Sequence, residues 1–146
     1  MAKSAFEQGN LALEDFPFQT FDKLRYGDTD RQGHVNNAVF STFLETGRIE
    51  LLFSPLSPLV AERATFVIVK LDLNYLMEIN WPGRVEIGTA VTKIGNSSVN
   101  FYQGLFQNGR CVATAETVIV QMNEQTRKSH PLTAKAKAFL MQHQLA

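Results

Sequence analysis

Between Asn37 and Met122 the hydrophobic repeat of this chain changes once, from a period of 3.6 to a period of 2, and that single change restricts the folds open to it. Phe40, Phe43, Leu44, Gly47 and Leu51 fall on one stripe of a helical wheel, with Ser41, Glu45 and Arg48 elsewhere on it. The spacing predicts a helix from about Asn37 to Phe53, with Asn36 as its N-cap. Ser54-Pro55 and Ser57-Pro58 are expected to stop it, because a residue before proline is pushed out of the α region. Beyond the prolines, Val67, Val69, Leu71 and Leu73 alternate with Ile68, Lys70, Asp72 and Asn74, and Val85, Ile87, Thr89 and Val91 alternate with Arg84, Glu86, Gly88 and Ala90. Ser98 to Gln107 and Arg110 to Met122 read as two further strands, joined by Asn108-Gly109, the strongest short hairpin signal. A short strand from Phe21 to Tyr26 precedes the helix, and a short helix from Thr133 to His143 closes the chain. One long apolar helix followed by a four-strand antiparallel meander is an α+β pattern in which the sheet needs cover for its apolar face, and the long helix is the only element of adequate size. Gly47 is expected to let the sheet approach that helix closely, and the first twenty residues to be loosely attached.

The 146 residues show no internal repeat, low-complexity segment or linker, so one domain over 1–146 is expected. Fourteen basic and fourteen acidic residues cancel, which argues against nucleic-acid binding through phosphate neutralisation. The single cysteine, Cys111, forms no intrachain disulfide; in an apolar alternating segment it reads as core packing, and a cytoplasmic setting follows. Met1 to Gln8 has no apolar signal-like stretch and no later apolar run approaches bilayer length, so neither export nor membrane insertion is expected. Zinc spacing, a glycine-rich phosphate loop after a strand and a nucleophile elbow are all missing from the pattern, so neither a metal nor a redox cofactor is expected.

Most of the polar chemistry is packed into Arg25-Tyr26-Gly27-Asp28-Thr29-Asp30-Arg31-Gln32-Gly33-His34-Val35-Asn36-Asn37, a loop between the first strand and the long helix. A helix start presents N–H groups without intrahelical acceptors and the positive end of the macrodipole, so an oxygen that becomes negative during a reaction is well placed there. An acidic residue on the preceding loop can supply the attacking group. With Asp28-Thr29-Asp30 followed by Gly33-His34-Val35-Asn36-Asn37, the run resembles the loop that opens the central helix in hotdog-fold acyl-CoA thioesterases of the 4-hydroxybenzoyl-CoA thioesterase type. The resemblance spans roughly 21–132. It implies a curved five-stranded antiparallel sheet wrapped around one long helix, and hydrolysis of an acyl-CoA thioester to a free acid and CoA. It assigns Asp30 as nucleophile or general base and the backbone N–H of Asn37, seven residues on, as oxyanion donor. Coenzyme A enters only as part of the substrate, and a homodimer or homotetramer with sites between subunits is implied. A thiolate leaves with a pKa near ~8.5 and needs no strong general acid, so one carboxylate and one oxyanion site are enough.

The other polar residues carry two readings each. Asp28 and Asp30 also fit Asx turns, and Asp28 is read as a turn or supporting residue. His34 either orients water or tunes Asp30, or is a structural turn residue, while His130 and His143 lie in a tail expected to be solvated. Glu45, two turns into the helix, is the second-choice carboxylate, since a sister branch carries its acid at about that depth; the alternative is a pair with Arg48 at i+3. Gly33 and Asn36 are expected to contact substrate; Arg127 and Lys128, and also Arg84 and Lys93, either meet coenzyme A phosphates or are ordinary solvated surface charges. Phe101, Tyr102 and Phe106 either line an acyl tunnel or are plain core. A hotdog hydratase or dehydratase using His34 and Glu45, and an acyl-CoA-binding module without turnover, are the rival functions.

Overall fold

A computed structural model describes residues 11–53 and 59–145. The five strands are β1 (Phe18–Lys23), β2 (Ala64–Tyr75), β3 (Arg84–Ile94), β4 (Ser98–Gln107) and β5 (Arg110–Asn123). The two α-helices are α1 (Val39–Leu52) and α2 (Ala134–Met141). All strand pairs are antiparallel and the sheet order is β1-β3-β4-β5-β2, so β1 and β2 are the edges; the expected four-strand meander holds only for β3-β4-β5, because β2 crosses over to pair with β5 and leaves the flank of β3 to β1. The Asn108-Gly109 hairpin forms as expected, both residues at positive φ (52° and 78°), which the right-handed twist of the flanking strands favours.

Helix α1 lies on one face of the sheet. It buries Phe40, Phe43, Leu44, Gly47 and Leu51, the stripe the periodicity picks out, against Ile87, Leu105, Val91 and Phe101. Each large side chain moved out of water there contributes about 1.5–3 kcal/mol. Gly47 is where helix and sheet come closest. A Cβ on it would sit 2.6 Å from the Ile87 Cγ2 atom and 2.9 Å from the Gln103 amide nitrogen.

Four further expectations shift. First, β1 begins at Phe18 instead of Phe21, and residues 11–16 dock on the sheet face opposite α1, where buried Phe16 stacks on Tyr102 (ring centroids 5.9 Å) and meets the edge of Phe106. That face therefore has its own cover, because a lone aromatic inserted beside Ala90 and Gly88 needs no periodic pattern. Second, α1 starts at Val39 with Ala38 as N-cap, so Asn36 is not the cap. Third, Arg48 is buried; its guanidinium donates to Gln103 Oε1 (3.2 Å), and no carboxylate lies within ion-pair distance of it among the described residues, so the Glu45 pair does not form. Burial holds the Arg48 pKa below its ordinary value, partly offset by the charge of Glu45. Fourth, His143 is tucked between Phe18 and Phe139 with Nδ1 2.9 Å from the Phe139 carbonyl, and His130 Nδ1 contacts the Pro131 carbonyl at 3.0 Å, so neither is a free solvated side chain. Ser54-Pro55 and Ser57-Pro58 lie outside the described residues, and α1 ends just before them with Phe53 as C-cap. The last helix is capped by Thr133, whose Oγ1 accepts the Ala136 N–H at 3.0 Å. No described helix is long and apolar enough to cross a membrane.

Candidate active site

The loop between β1 and α1 is built by its aspartates. Asp28 is 5 % exposed; one carboxylate oxygen accepts the Arg25 N–H at 2.9 Å and the other takes the Arg25 guanidinium at 3.2 Å. Its carbonyl accepts the Asn36 N–H (2.8 Å), tying the start of the loop to its end. Asp28 is a scaffold residue, as its turn reading has it. Asp30, by contrast, is exposed, and only its Oδ1 is engaged, by the N–H groups of Gln32 (2.8 Å) and His34 (3.2 Å). The Asx turn is thus present, and it leaves Oδ2 without a partner among the described residues. Gly33 turns the loop at φ 81°, and Thr29 bridges Val35 to close it.

The entry to α1 is a pair of overlapping turns. The Asn36 carbonyl accepts the Val39 N–H (2.9 Å), the Asn37 carbonyl accepts the Phe40 N–H (3.3 Å), and the Asn36 side chain accepts the Ala38 N–H (3.0 Å). Among the N–H groups of 36–40, only that of Asn37 has no acceptor within the described residues. Asn37 therefore sits two residues ahead of the helix, inside the turn, and still presents an orphan donor at the positive end of α1. Asn36 supports this turn through its side chain and is not itself directed by any contact to a substrate position.

Asp30, His34 and Asn37 line one hollow of about 390 Å³ together with Tyr75, Met77 and Glu78. The last three are residues that periodicity does not flag. Tyr75 ends β2, rests its ring edge-on against Phe40 (5.0 Å between centroids) and donates its hydroxyl to the Asn37 carbonyl at 3.0 Å, pinning the turn that carries the orphan N–H. Glu78 places Oε2 2.8 Å from His34 Nε2. The one signal for them in the sequence is the point where the alternation of β2 breaks, ahead of Trp81-Pro82-Gly83.

The remaining candidates are elsewhere. Glu45 is exposed on α1 and lines a separate, mostly apolar hollow of about 330 Å³ with Arg48, Leu52, Phe66 and Ile68. Arg127 and Lys128 are exposed in the turn after β5, beside the Ala64 end of β2, whereas the Asp30 hollow is at its Tyr75 end. At ~3.3 Å per residue β2 is roughly 35 Å long, so one chain does not bring the two together. Arg84 lies over the Phe21 ring (4.6 Å) and Lys93 is exposed on β3. Phe101 is core beneath α1, and Tyr102 and Phe106 belong to the opposite face with Phe16, so the three line no common tunnel. Cys111 donates weakly to the Ala113 carbonyl (3.5 Å) and burial pushes its thiol up, in keeping with packing.

The description Thioesterase-like superfamily belongs to the family model that matches residues 24–142. Acyl-CoA thioester hydrolase YbgC of Escherichia coli is 30 % identical over 115 residues, which is 76 % of this chain and 82 % of that protein. Among solved structures, the PA5185 protein of Pseudomonas aeruginosa superposes with a TM-score of 0.83 at 23 % identity, covering 92 % of this chain and 96 % of that one. A thioesterase from Thermus thermophilus complexed with coenzyme A and Zn reaches a TM-score of 0.73 at 26 % identity, over 87 % of this chain and 93 % of that one.

Proposed function

The chain belongs to the thioesterase-like superfamily and has its hotdog fold, and from that premise we propose that it hydrolyses acyl-CoA thioesters with Asp30 as the working carboxylate. The observation that carries the reading is one hollow holding a carboxylate with a free oxygen and a backbone N–H with no acceptor. With the thioester carbonyl between them, Asp30 Oδ2 either attacks the carbon or takes the proton of an attacking water. The Asn37 N–H and the α1 dipole stabilise the oxyanion, and the C–S bond breaks to a thiolate that needs no strong acid. No resident metal or redox group enters this chemistry; coenzyme A is part of the substrate. The acyl group enters past Phe40 and Tyr75, whose side chains line the same hollow as Asp30.

The active unit in this reading is at least a homodimer. Edge strand β2 exposes Ile68 (52 %) and Val69 (58 %), an apolar and unpaired edge that favours a second copy. Antiparallel pairing of β2 with its two-fold mate sets the Ala64 end of one copy beside the Tyr75 end of the other. That puts Arg127 and Lys128 of the partner subunit near the Asp30 hollow, where the coenzyme A phosphates need cations. Thiol release from a panel of acyl-CoAs tests the function, and light scattering tests the assembly. Binding without thiol release on every substrate refutes hydrolysis, and a monomer at micromolar concentration refutes the dimer.

A further inference from the structure

The contact between His34 and Glu78 is positioned by backbone on both sides. His34 is bridged to Asn80, and the Val35 N–H donates to the Ile79 carbonyl at 2.8 Å, so 34–35 and 79–80 run side by side. The segment around Glu78 is fixed independently of that pairing. Leu76 and Met77 both donate to the Val112 carbonyl (2.9 and 3.1 Å), Ile79 is fully buried, and the Gln107 side chain clamps Asn80, accepting its N–H at 3.0 Å and donating to its carbonyl at 2.7 Å. The backbone that carries Glu78 is therefore held on both sides, next to the backbone that carries His34.

A carboxylate 2.8 Å from Nε2 accepts a hydrogen bond, so Nε2 carries a proton, and in the neutral tautomer that this bond selects Nδ1 is the lone-pair acceptor. His34 Nδ1 has no partner among the described residues, and His34 lines the hollow that also holds Asp30. We propose that Glu78 is a positioning residue that locks His34 in its Nε2–H form, so that Nδ1 holds the hydrolytic water against the thioester. This rests on the acyl-CoA hydrolase reading above. Nδ1 accepts one hydrogen of the water and Asp30 Oδ2 takes the other as a proton while the water oxygen bonds to the carbonyl carbon. When the C–S bond breaks, that proton passes from Asp30 to the thiolate, which leaves the carboxylate and the imidazole as they began.

Glu78 is more than half exposed, so Glu78→Ala is expected to fold normally. In wild type, long-range proton–nitrogen NMR on imidazole-labelled protein is expected to report the Nε2–H tautomer for His34. In Glu78→Ala that bias is lost, and kcat falls roughly ten- to hundredfold with KM little changed, the scale of a mis-set reacting group. Glu78→Gln, which keeps an acceptor oxygen, recovers part of both readouts. His34→Ala adds little to the loss in Glu78→Ala, since the two act as one unit. If wild type releases thiol while Glu78→Ala keeps the native tautomer and kcat, the positioning role is wrong and the hydrolase reading stands. If wild type releases no thiol from any acyl-CoA, the hydrolase reading fails, and the positioning role fails with it.

Discussion

Replacing Asn37 by proline deletes one N–H at the head of α1 and is the sharpest test of the oxyanion donor. The structural cost is small for three reasons. The Asn37 N–H makes no hydrogen bond within the described residues, so none is lost. Asn37 is the second residue of the turn closed by the Val39 N–H on the Asn36 carbonyl, a position where proline is favoured because its φ is already set. Asn36 is the first residue of that turn, where the extended geometry that proline imposes on its predecessor is ordinary. Stability is therefore expected to stay within about 1 kcal/mol of wild type in urea unfolding. Catalysis is a different matter: removal of one oxyanion donor costs ~10²–10³ in kcat, or about 2.7–4 kcal/mol of transition-state stabilisation. Asn37→Ala keeps the N–H and removes a side chain that makes no hydrogen bond among the described residues, so its kcat is expected to stay near wild type. Thiol release under saturating acyl-CoA, with circular dichroism to confirm the fold, reads both variants. An alanine variant as impaired as a well-folded proline variant assigns the work to the side chain and refutes the backbone donor.

Two further predictions concern the scaffold. Gly47→Ala gains about 1 kcal/mol of helix propensity but forces a methyl against Ile87, Thr89 and the pinned Gln103, where overpacking costs about 1–3 kcal/mol. A net loss of roughly 1 kcal/mol in urea unfolding is expected, and a net gain contradicts the close approach of helix and sheet. Burial raises the pKa of both Cys111 and Tyr102 above their ordinary values of 9.0 and 10.0. A raised acid holds more protons folded than unfolded, so stability is full below pH 9, falls as pH rises through that window, and falls less in Cys111→Ala. Urea midpoints at pH 8 and pH 10.5 check this, and identical slopes for the two proteins sink it.

Elements with a strong period were legible in the residues themselves. The stripe Phe40, Phe43, Leu44, Gly47, Leu51 became the buried face of α1, and Ser98 to Gln107 became β4 with the bounds expected. Arg48 escaped because a wheel marks arginine as polar, whereas here a buried Gln103, held by the Leu44 carbonyl and Thr89, offers it an oxygen inside the core. Phe16 escaped because one anchoring ring has no period. At the site, Asp30, His34 and Asn37 were readable, being contiguous in one loop, and they do share a hollow. Tyr75 and Glu78 were not, since their relation to that loop exists only through tertiary contacts some forty residues away in the chain, the Tyr75 hydroxyl on the Asn37 carbonyl and the pairing of 79–80 with 34–35. Asn36 was displaced from the helix cap because two overlapping turns, which local propensity does not distinguish from the first turn of a helix, intervene before Val39.

The central claim is that the Asp30 carboxylate does the chemistry. Asp30→Asn preserves shape and keeps an oxygen to accept the Gln32 and His34 N–H groups, but its amide neither attacks nor takes a proton. Paired measurements of thiol release and of acyl-CoA binding by calorimetry on wild type and this variant address it directly. The account predicts near-native affinity and a kcat reduced by on the order of 10² or more. Near-native kcat in Asp30→Asn, alongside a collapse of turnover in Glu45→Gln, contradicts it and moves the chemistry to the helix.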